Sequence, residues 1–304
     1  MSPVAGALLV VGDVVTDVVA RHRTPLAPAT DTAAQIRTLP GGAGANAACW
    51  AARSGCGEVR LLGRVGADAA GWHERALRRA GVRPLLVQDP EAATATVIAL
   101  VDSSAERTFL TDSGAALRLS PGDWNAGFLD GVARLHLSGY LFFAAPSRET
   151  ARRALRDARN AGVPVSVDPA SAGFLAELGV DGFLAAADGA EVLLPNADEA
   201  ASLTGVDRPE AAAAELSRRF PLVVVTLGAA GALVAEGGAV VARVAAPPVR
   251  PVDSTGAGDA FTGAFLAARL AGAAPAKAAA QGCRAGAEAV TVVGGRPPEL
   301  PYPT

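Results

Sequence analysis

From about residue 133 onward, short apolar runs take turns with helical stretches, and that alternation leaves few folds open. RLHLSGY, VPVSVDP, EVLLPN and LVVVTLG read as strands. Residues 147–161, 173–187, the neighbourhoods of 197–204 and 209–219, and two Ala-rich stretches at 256–271 and 275–290 read as helices, with strand-like pieces at 231–246. Strands that run in the same direction need a long crossover between them, and a helix supplies it. The pattern therefore predicts an α/β fold, a mostly parallel central sheet with helices on both faces. Earlier in the chain, LLVVGDVVTDVV (8–19) is too continuous for an amphipathic helix and reads as one buried strand. A helix at 44–54, a strand at 59–66, a helix at 69–80 and a strand at 82–87 continue the series.

Two segments break it. Residues 20–41 are polar, carry Pro and Thr, and end in Gly41-Gly42. Residues 94–102 and 106–112 alternate apolar and polar positions around the short turn Ser103-Ser104-Ala105, a hairpin signature. The expected organisation is an α/β unit of 1–19, 42–90 and 113–304, with 20–41 and 91–112 forming a small β lid over it.

A formal net charge of -3 and a pI near 5.7 oppose the positive field that nucleic-acid binders need. No apolar run approaches the roughly 18 residues of a membrane span. MSPVAGALLV has no basic region ahead of its apolar residues, so no signal peptide is expected and the expected location is cytoplasmic. Cys49, Cys56 and Cys283 are odd in number and lack metal-ligand spacing, and His22, His73 and His136 add no zinc pattern. Lys277 is the only lysine, and it lies in AGAAPAKAAAQG rather than after a Gly-rich turn or on a strand. Phosphoryl transfer by this chain would have to stabilise charge without the lysine of a P-loop or protein kinase.

The segment Asp253-Ser254-Thr255-Gly256-Ala257-Gly258-Asp259 supplies such a means. Small residues ahead of the apolar helix AFTGAFLAARL leave backbone N–H groups open to a ligand, and the helix start adds about half a positive charge. Asp259, in the first turn, can face the same space and accept the proton of an attacking hydroxyl; an aspartate with an ordinary pKa of about 3.9 is ionised there without tuning. A Gly-rich turn closed by a helix-capping aspartate reads the same segment without chemistry. A second Gly-rich stretch, Gly41-Gly42-Ala43-Gly44-Ala45-Asn46, opens a helix with Leu39-Pro40 rather than a tight strand ahead of it. Asn46 would pair with sugar hydroxyls through its amide, or cap the helix.

In this order the two segments closely resemble the signatures of the ribokinase-like (phosphofructokinase-B) family of carbohydrate kinases: GGAGANAA at 41–48 and DSTGAGDAFTGAF at 253–265. PNADE at 195–199 is similar to the family's Asn-x-x-Glu element and TLGAAG at 226–231 to its nucleotide loop. The resemblance spans essentially the whole chain and implies a ribokinase-like fold with ATP and Mg²⁺ as cofactors. It implies that Asp259 is the base and that the N–H groups of Gly256, Ala257 and Gly258 hold the transferring phosphoryl group. Asn196 and Glu199 would act near the ATP phosphates, Glu199 by organising Mg²⁺ and its waters, although P-N-A-D-E is also a good helix start. Thr226 and Gly228 would line the ATP site, and Cys283 corresponds to a position beside the adenine. Asp253 and the loop 291–296 match a region where some members bind a monovalent cation such as K⁺.

On the acceptor side the resemblance implies Asp17 as a grip on sugar hydroxyls, with Asp13 as the second choice, Gly42 allowing close approach and Asn46 binding further hydroxyls. Arg107 in the hairpin would reach an anionic substrate or serve solubility. Family ribokinases carry a lysine where Ala43 stands and a glutamate near Ser138, so two contacts to D-ribose are missing. A different pentose or hexose, a nucleoside, or a keto-deoxy sugar acid stays open as acceptor. A sugar or nucleotide sensor without catalysis would lack the base or block the anion hole, and neither is so here. A dinucleotide oxidoreductase fits poorly, because the strand at 59–66 ends in Arg64-Val65-Gly66. The lid's sheet edges make it the expected meeting place of two chains.

Overall fold

The computed structural model describes residues 6–103 and 107–298, Arg107 by its backbone alone. The turn expected at 103–105 therefore lies partly outside the described residues, as does any contact of the Arg107 side chain. The apolar run 8–19 is two strands, not one. β1 (Ala7–Val11) is buried along its length, and β2 (Val15–His22) starts a different sheet. At the break Gly12 lies against a helix start: a Cβ on it would fall 2.8 Å from the Cα of Gly44. Residues 15–19, expected with the α/β unit, thus pair in the small sheet.

β3 (Ala34–Gly41) runs straight into α1 (Ala43–Arg53), so a strand does precede the first Gly-rich stretch. Pro40 is tolerated because β3 is an edge strand, where its missing N–H leaves no ladder bond unmade. β4 (Val59–Gly66), α2 (Ala70–Arg79), β5 (Val82–Asp89), β6 (Ala95–Val101) and β7 (Arg107–Asp112) follow. After them come β8 (Val132–Ser138), α3 (Ala145–Asn160), β9 (Val165–Asp168), α4 (Ala172–Leu178) and α5 (Val180–Ala186). The chain continues through β10 (Val192–Leu193), α6 (Ala197–Thr204), α7 (Pro209–Leu216), β11 (Leu222–Thr226), β12 (Ala232–Glu236) and β13 (Ala239–Val244), then α8 (Ala257–Leu270) and α9 (Pro275–Ala289).

The large sheet has nine strands in the order β13-β12-β11-β10-β9-β8-β1-β4-β5. It is parallel from β5 to β11, while β12 and β13 return antiparallel. β1 shows why such a strand reads as a continuous apolar run: Leu9 and Val11 pack into the core on one face, Leu8 and Val10 into the core on the other. Each such side chain stabilises the fold by about 1.5–3 kcal/mol relative to exposure. Strand order reverses between β1 and β8, and a parallel sheet opens a crevice at the carboxyl ends of its strands there. The small sheet, in the order β3-β2-β6-β7, stands beside that crevice. No helix among the described residues is long and apolar enough to cross a membrane.

Candidate active site

A cavity of about 490 Å³ occupies the crevice, walled by strand ends of the large sheet, the start of α8 and one face of the small sheet. Gly256 precedes α8 in the left-handed region, with φ 73°. A Cβ on it would come 2.4 Å from the Cα of Gly295 and 2.6 Å from its carbonyl oxygen, so only glycine lets the 291–296 loop close on this turn. The first N–H groups of a helix have no intrahelical acceptor; that of Ala257 reaches the Ser254 carbonyl only at 3.4 Å. Gly256, Gly258 and Asp259 line the cavity, and a Cβ on Gly258 would meet nothing within 4 Å. The turn therefore presents an open, electropositive cradle.

The two Gly-rich segments meet here. Asn46 Nδ2 donates to Asp259 Oδ2 at 2.8 Å across 213 residues of sequence, and Asn46 Oδ1 is buried with no partner among the described residues. Gly42, at φ 95°, lets α1 begin directly against the chain at Asp13: a Cβ there would lie 2.6 Å from the Asp13 carbonyl oxygen. The buried Asp13 carboxylate accepts from the N–H groups of Ala43 (2.7 Å) and Gly44 (3.0 Å) and from the Ser138 hydroxyl (2.9 Å). Asp13 therefore spends its oxygens on capping α1, and what it gives the cavity is chiefly charge. Asp17 lies within β2, paired in register with Leu39 and Val97, rather than at the end of the first strand. Its carboxylate passes over Gly41, where a Cβ would be 2.1 Å away, and lines the cavity.

On the opposite side Asn196 and Glu199 form a reciprocal cap on α6. The Asn196 N–H donates to Glu199 Oε2 (2.9 Å), its amide to Oε1 (2.7 Å), and the Glu199 N–H to Asn196 Oδ1 (2.9 Å). The capping reading of PNADE thus holds, and both residues also line the cavity with Thr226. Asp168 carries no motif but faces the same space, accepting from the Ala170 N–H (2.8 Å) and the Thr262 hydroxyl (3.2 Å). Its signal in VPVSVDP is an aspartate closing a strand of a parallel sheet. Thr262 follows Asp259 by three residues and so shares its helix face. Gly228, Cys283, Ala257 and Asp253 do not line the cavity. Gly228 is exposed beyond β11, and Cys283 packs in the core with Phe261 and Ala279. The Asp253 oxygens accept from the N–H groups of Thr255 (2.9 Å) and Gly294 (3.0 Å), which ties the two loops together.

Asp13, Asp17, Asp112, Asp168, Glu199 and Asp259 line the cavity, with no cationic side chain among the described lining residues. Burial and mutual repulsion raise four of them, Asp17, Asp168, Glu199 and Asp259. Asp17 is raised from 3.8 to about 7 by burial and then by Asp13, with Arg296 opposing. Arg296 donates to the Gly41 carbonyl at 3.2 Å. Burial and the neighbouring carboxylates also raise Glu199 and Asp168. Asp259 is raised well above its ordinary value, first by burial, against the Asn46 hydrogen bond. An untuned Asp259 is thus not what the fold provides: burial pushes this carboxyl toward its protonated form, and a cation beside it would favour the carboxylate.

Between 6.5 and 8 the folded protein holds more carboxyl protons than the unfolded chain, so its stability falls as pH rises. The buried His73 and His136, lowered by burial to about 4 and about 3, give an opposing slope that fades within about one pH unit above the ordinary His value of 6.5. The melting temperature of the ligand-free protein should drop by about 2–4 °C over this range, and by less with MgCl₂ and ATP present. Thermal scans showing a rise instead would reject the carboxylate cluster as described.

Residues 6–301 match the model of the pfkB family carbohydrate kinase. The chain belongs to this family. Fructokinase from Klebsiella pneumoniae is 35% identical, the match covering 98% of this chain and 97% of that protein. Among solved structures, aminoimidazole riboside kinase from Salmonella enterica, in complex with aminoimidazole riboside and an ATP analogue, superposes with a TM-score of 0.79 at 28% identity, covering 98% and 97% of the two chains. Adenosine kinase from Sinorhizobium meliloti, at 23% identity, shares the fold with a TM-score of 0.83 over 96% of each chain. As a pfkB carbohydrate kinase the protein is an ATP-dependent phosphotransferase acting on an alcohol group. Its mostly parallel sheet, flanking helices and separate small sheet are the ribokinase-like fold.

Proposed function

We propose that Asp259 takes the proton of an acceptor hydroxyl on a small uncharged sugar or sugar derivative while the γ-phosphoryl group of ATP crosses to that oxygen. The new O–P bond forms at the hydroxyl, the bond to ADP breaks, and the proton stays on Asp259. The observation that carries this reading is the Asn46–Asp259 hydrogen bond of 2.8 Å at the mouth of the α8 cradle. It supports the reading because Asn46, Asp259 and the start of α8 line one cavity. Asp17 and Asn46 hold the acceptor, and the N–H groups of Gly256, Ala257 and Gly258 face the phosphoryl group.

The oxygen-only character of Asp168 and Glu199 suits Mg²⁺. Among the described residues no three His, Cys, Asp or Glu side chains are set to hold a metal directly, so these two would hold it through water and the ATP phosphates. Mg²⁺ would supply there the positive charge that the lining side chains lack. Thr226 and Gly228 sit at the end of β11, where the nucleotide would extend. A keto-deoxy sugar acid is disfavoured as acceptor because no described cation faces the cavity. Three free cysteines and a cellular co-substrate favour a cytoplasmic location.

ADP release, measured over a panel of free sugars, sugar acids and nucleosides with Mg²⁺ and ATP, tests the reading. Turnover with at least one neutral acceptor is expected, and ADP release with none of them would refute it. We also propose that two copies associate through the small sheet. Its outer face carries Val18, Ile98, Leu100 and Leu110 in neighbouring rows, with Ile36 66% and Leu110 54% exposed. Sedimentation velocity at micromolar concentration should give a dimer; a monomer would end this proposal.

A further inference from the structure

The cavity has a polar end and an aromatic end, and the aromatic end has no task in the chemistry above. Asp17, Val97 and Thr111 lie side by side across β2, β6 and β7, and the cavity-facing row continues along β7 to Phe109. Phe109 is 53% exposed, a large apolar ring standing uncovered at the edge of a binding cavity. The large domain contributes Phe143 and Phe174, stacked with centroids 4.9 Å apart at 26°, and Tyr140 meets both edge-on at 6.1 and 5.8 Å. Burial and the nearby carboxylates push the Tyr140 hydroxyl up, so it stays neutral.

A free hexose or pentose carries hydroxyls on nearly every carbon, and each one set against these rings would lose its hydrogen bonds to water without replacement. A flat heteroaromatic ring has no such cost and stacks on aromatic faces. Among the described residues the lining offers no cation to an acceptor that is itself an anion.

We propose that the acceptor is a riboside-type molecule: a neutral pentose, held by Asp17 and Asn46, that carries a planar heterocycle lodged among Phe109, Phe143, Phe174 and Tyr140. This rests on the kinase reading and narrows its substrate. Phe109 covers the heterocycle from the small sheet, and the Phe143–Phe174 pair forms the opposing wall. The wall selects for the heterocycle and the carboxylates select for the sugar, so neither a free base nor a free sugar fills the cavity.

The test compares kcat/KM, by ADP release, for adenosine, inosine, cytidine and uridine against D-fructose and D-ribose. At least one nucleoside should exceed both free sugars by about 10-fold or more, the scale of one stacked base. The variant Phe109→Ala, which removes an exposed ring and leaves the core intact, should raise KM for that nucleoside about 10-fold while KM for ATP changes far less. Phe174→Ala repeats the measurement from the other wall. A free sugar equalling or beating every nucleoside would overturn the proposal and leave the kinase reading standing. A rise in the ATP KM in place of the nucleoside KM would overturn it too, by assigning the wall to the nucleotide. If no acceptor is phosphorylated the kinase reading fails, and calorimetric titration with the same nucleosides decides: binding that Phe109→Ala weakens upholds the inference, and no binding overturns it.

Discussion

Asp259→Asn should lower kcat by about 10²–10⁴ while leaving the fold and ATP binding in place. The asparagine carbonyl can still accept the Asn46 amide that now bonds Oδ2 at 2.8 Å, so the contact between the two Gly-rich segments survives. What is lost is a group able to take a proton at the end of α8. The substitution also removes a group that would otherwise have to ionise, as pH rises, in a buried crowd where Asp168, Asp13 and Asp17 all raise it. The variant should therefore melt no lower than the parent, and higher above neutral pH. Loss of turnover with retained or improved stability separates a chemical role from a structural one. A kcat within a few-fold of the parent, measured at saturating ATP and acceptor, would remove Asp259 from the mechanism.

Gly256→Ala should cost about 10²–10³ in kcat, the usual loss when an anion-stabilising donor is displaced. The added Cβ meets the backbone of Gly295, its Cα at 2.4 Å and its oxygen at 2.6 Å, and no side-chain rotation relieves that. The left-handed φ of 73° adds about 1–2 kcal/mol of strain for any residue with a Cβ. The turn or the 291–296 loop must shift, and the N–H groups shift with it. Gly258→Ala is the matched comparison, because a Cβ there meets nothing within 4 Å and should leave the melting temperature unchanged. Normal turnover in Gly256→Ala would show that these amides do not hold the phosphoryl group.

The architecture was legible where one physical signal dominated. β9, β10 and β11 are buried on both faces, and α8 and α9 are Ala-rich between glycine and proline stops, so strand and helix declare themselves. The run 8–19 misled because its apolar residues continue across Gly12-Asp13-Val14. The break there is made by a tertiary contact with α1, invisible to a local pattern. At the site, Asp259, Asn46 and Glu199 were findable because each sits in a local motif with a backbone consequence. Asp168, Arg296 and the Tyr140, Phe143 and Phe174 wall act only through neighbours remote in sequence, which no spacing encodes. The same holds for charge. The upward push on Asp259 comes from burial and then from Asp168, Asp13 and Asp17 gathering round it, a setting no single stretch of chain announces.

The cut between β1 and β2 leaves Asp13 in the connection and puts Asp17, four residues on, in the small sheet. Asp13 is anchored to the body that carries Asp259, whereas Asp17 rides on the four-stranded piece with Val97 and Thr111. A molecule that touches Asp17 and Asp259 at once is a rivet through both pieces.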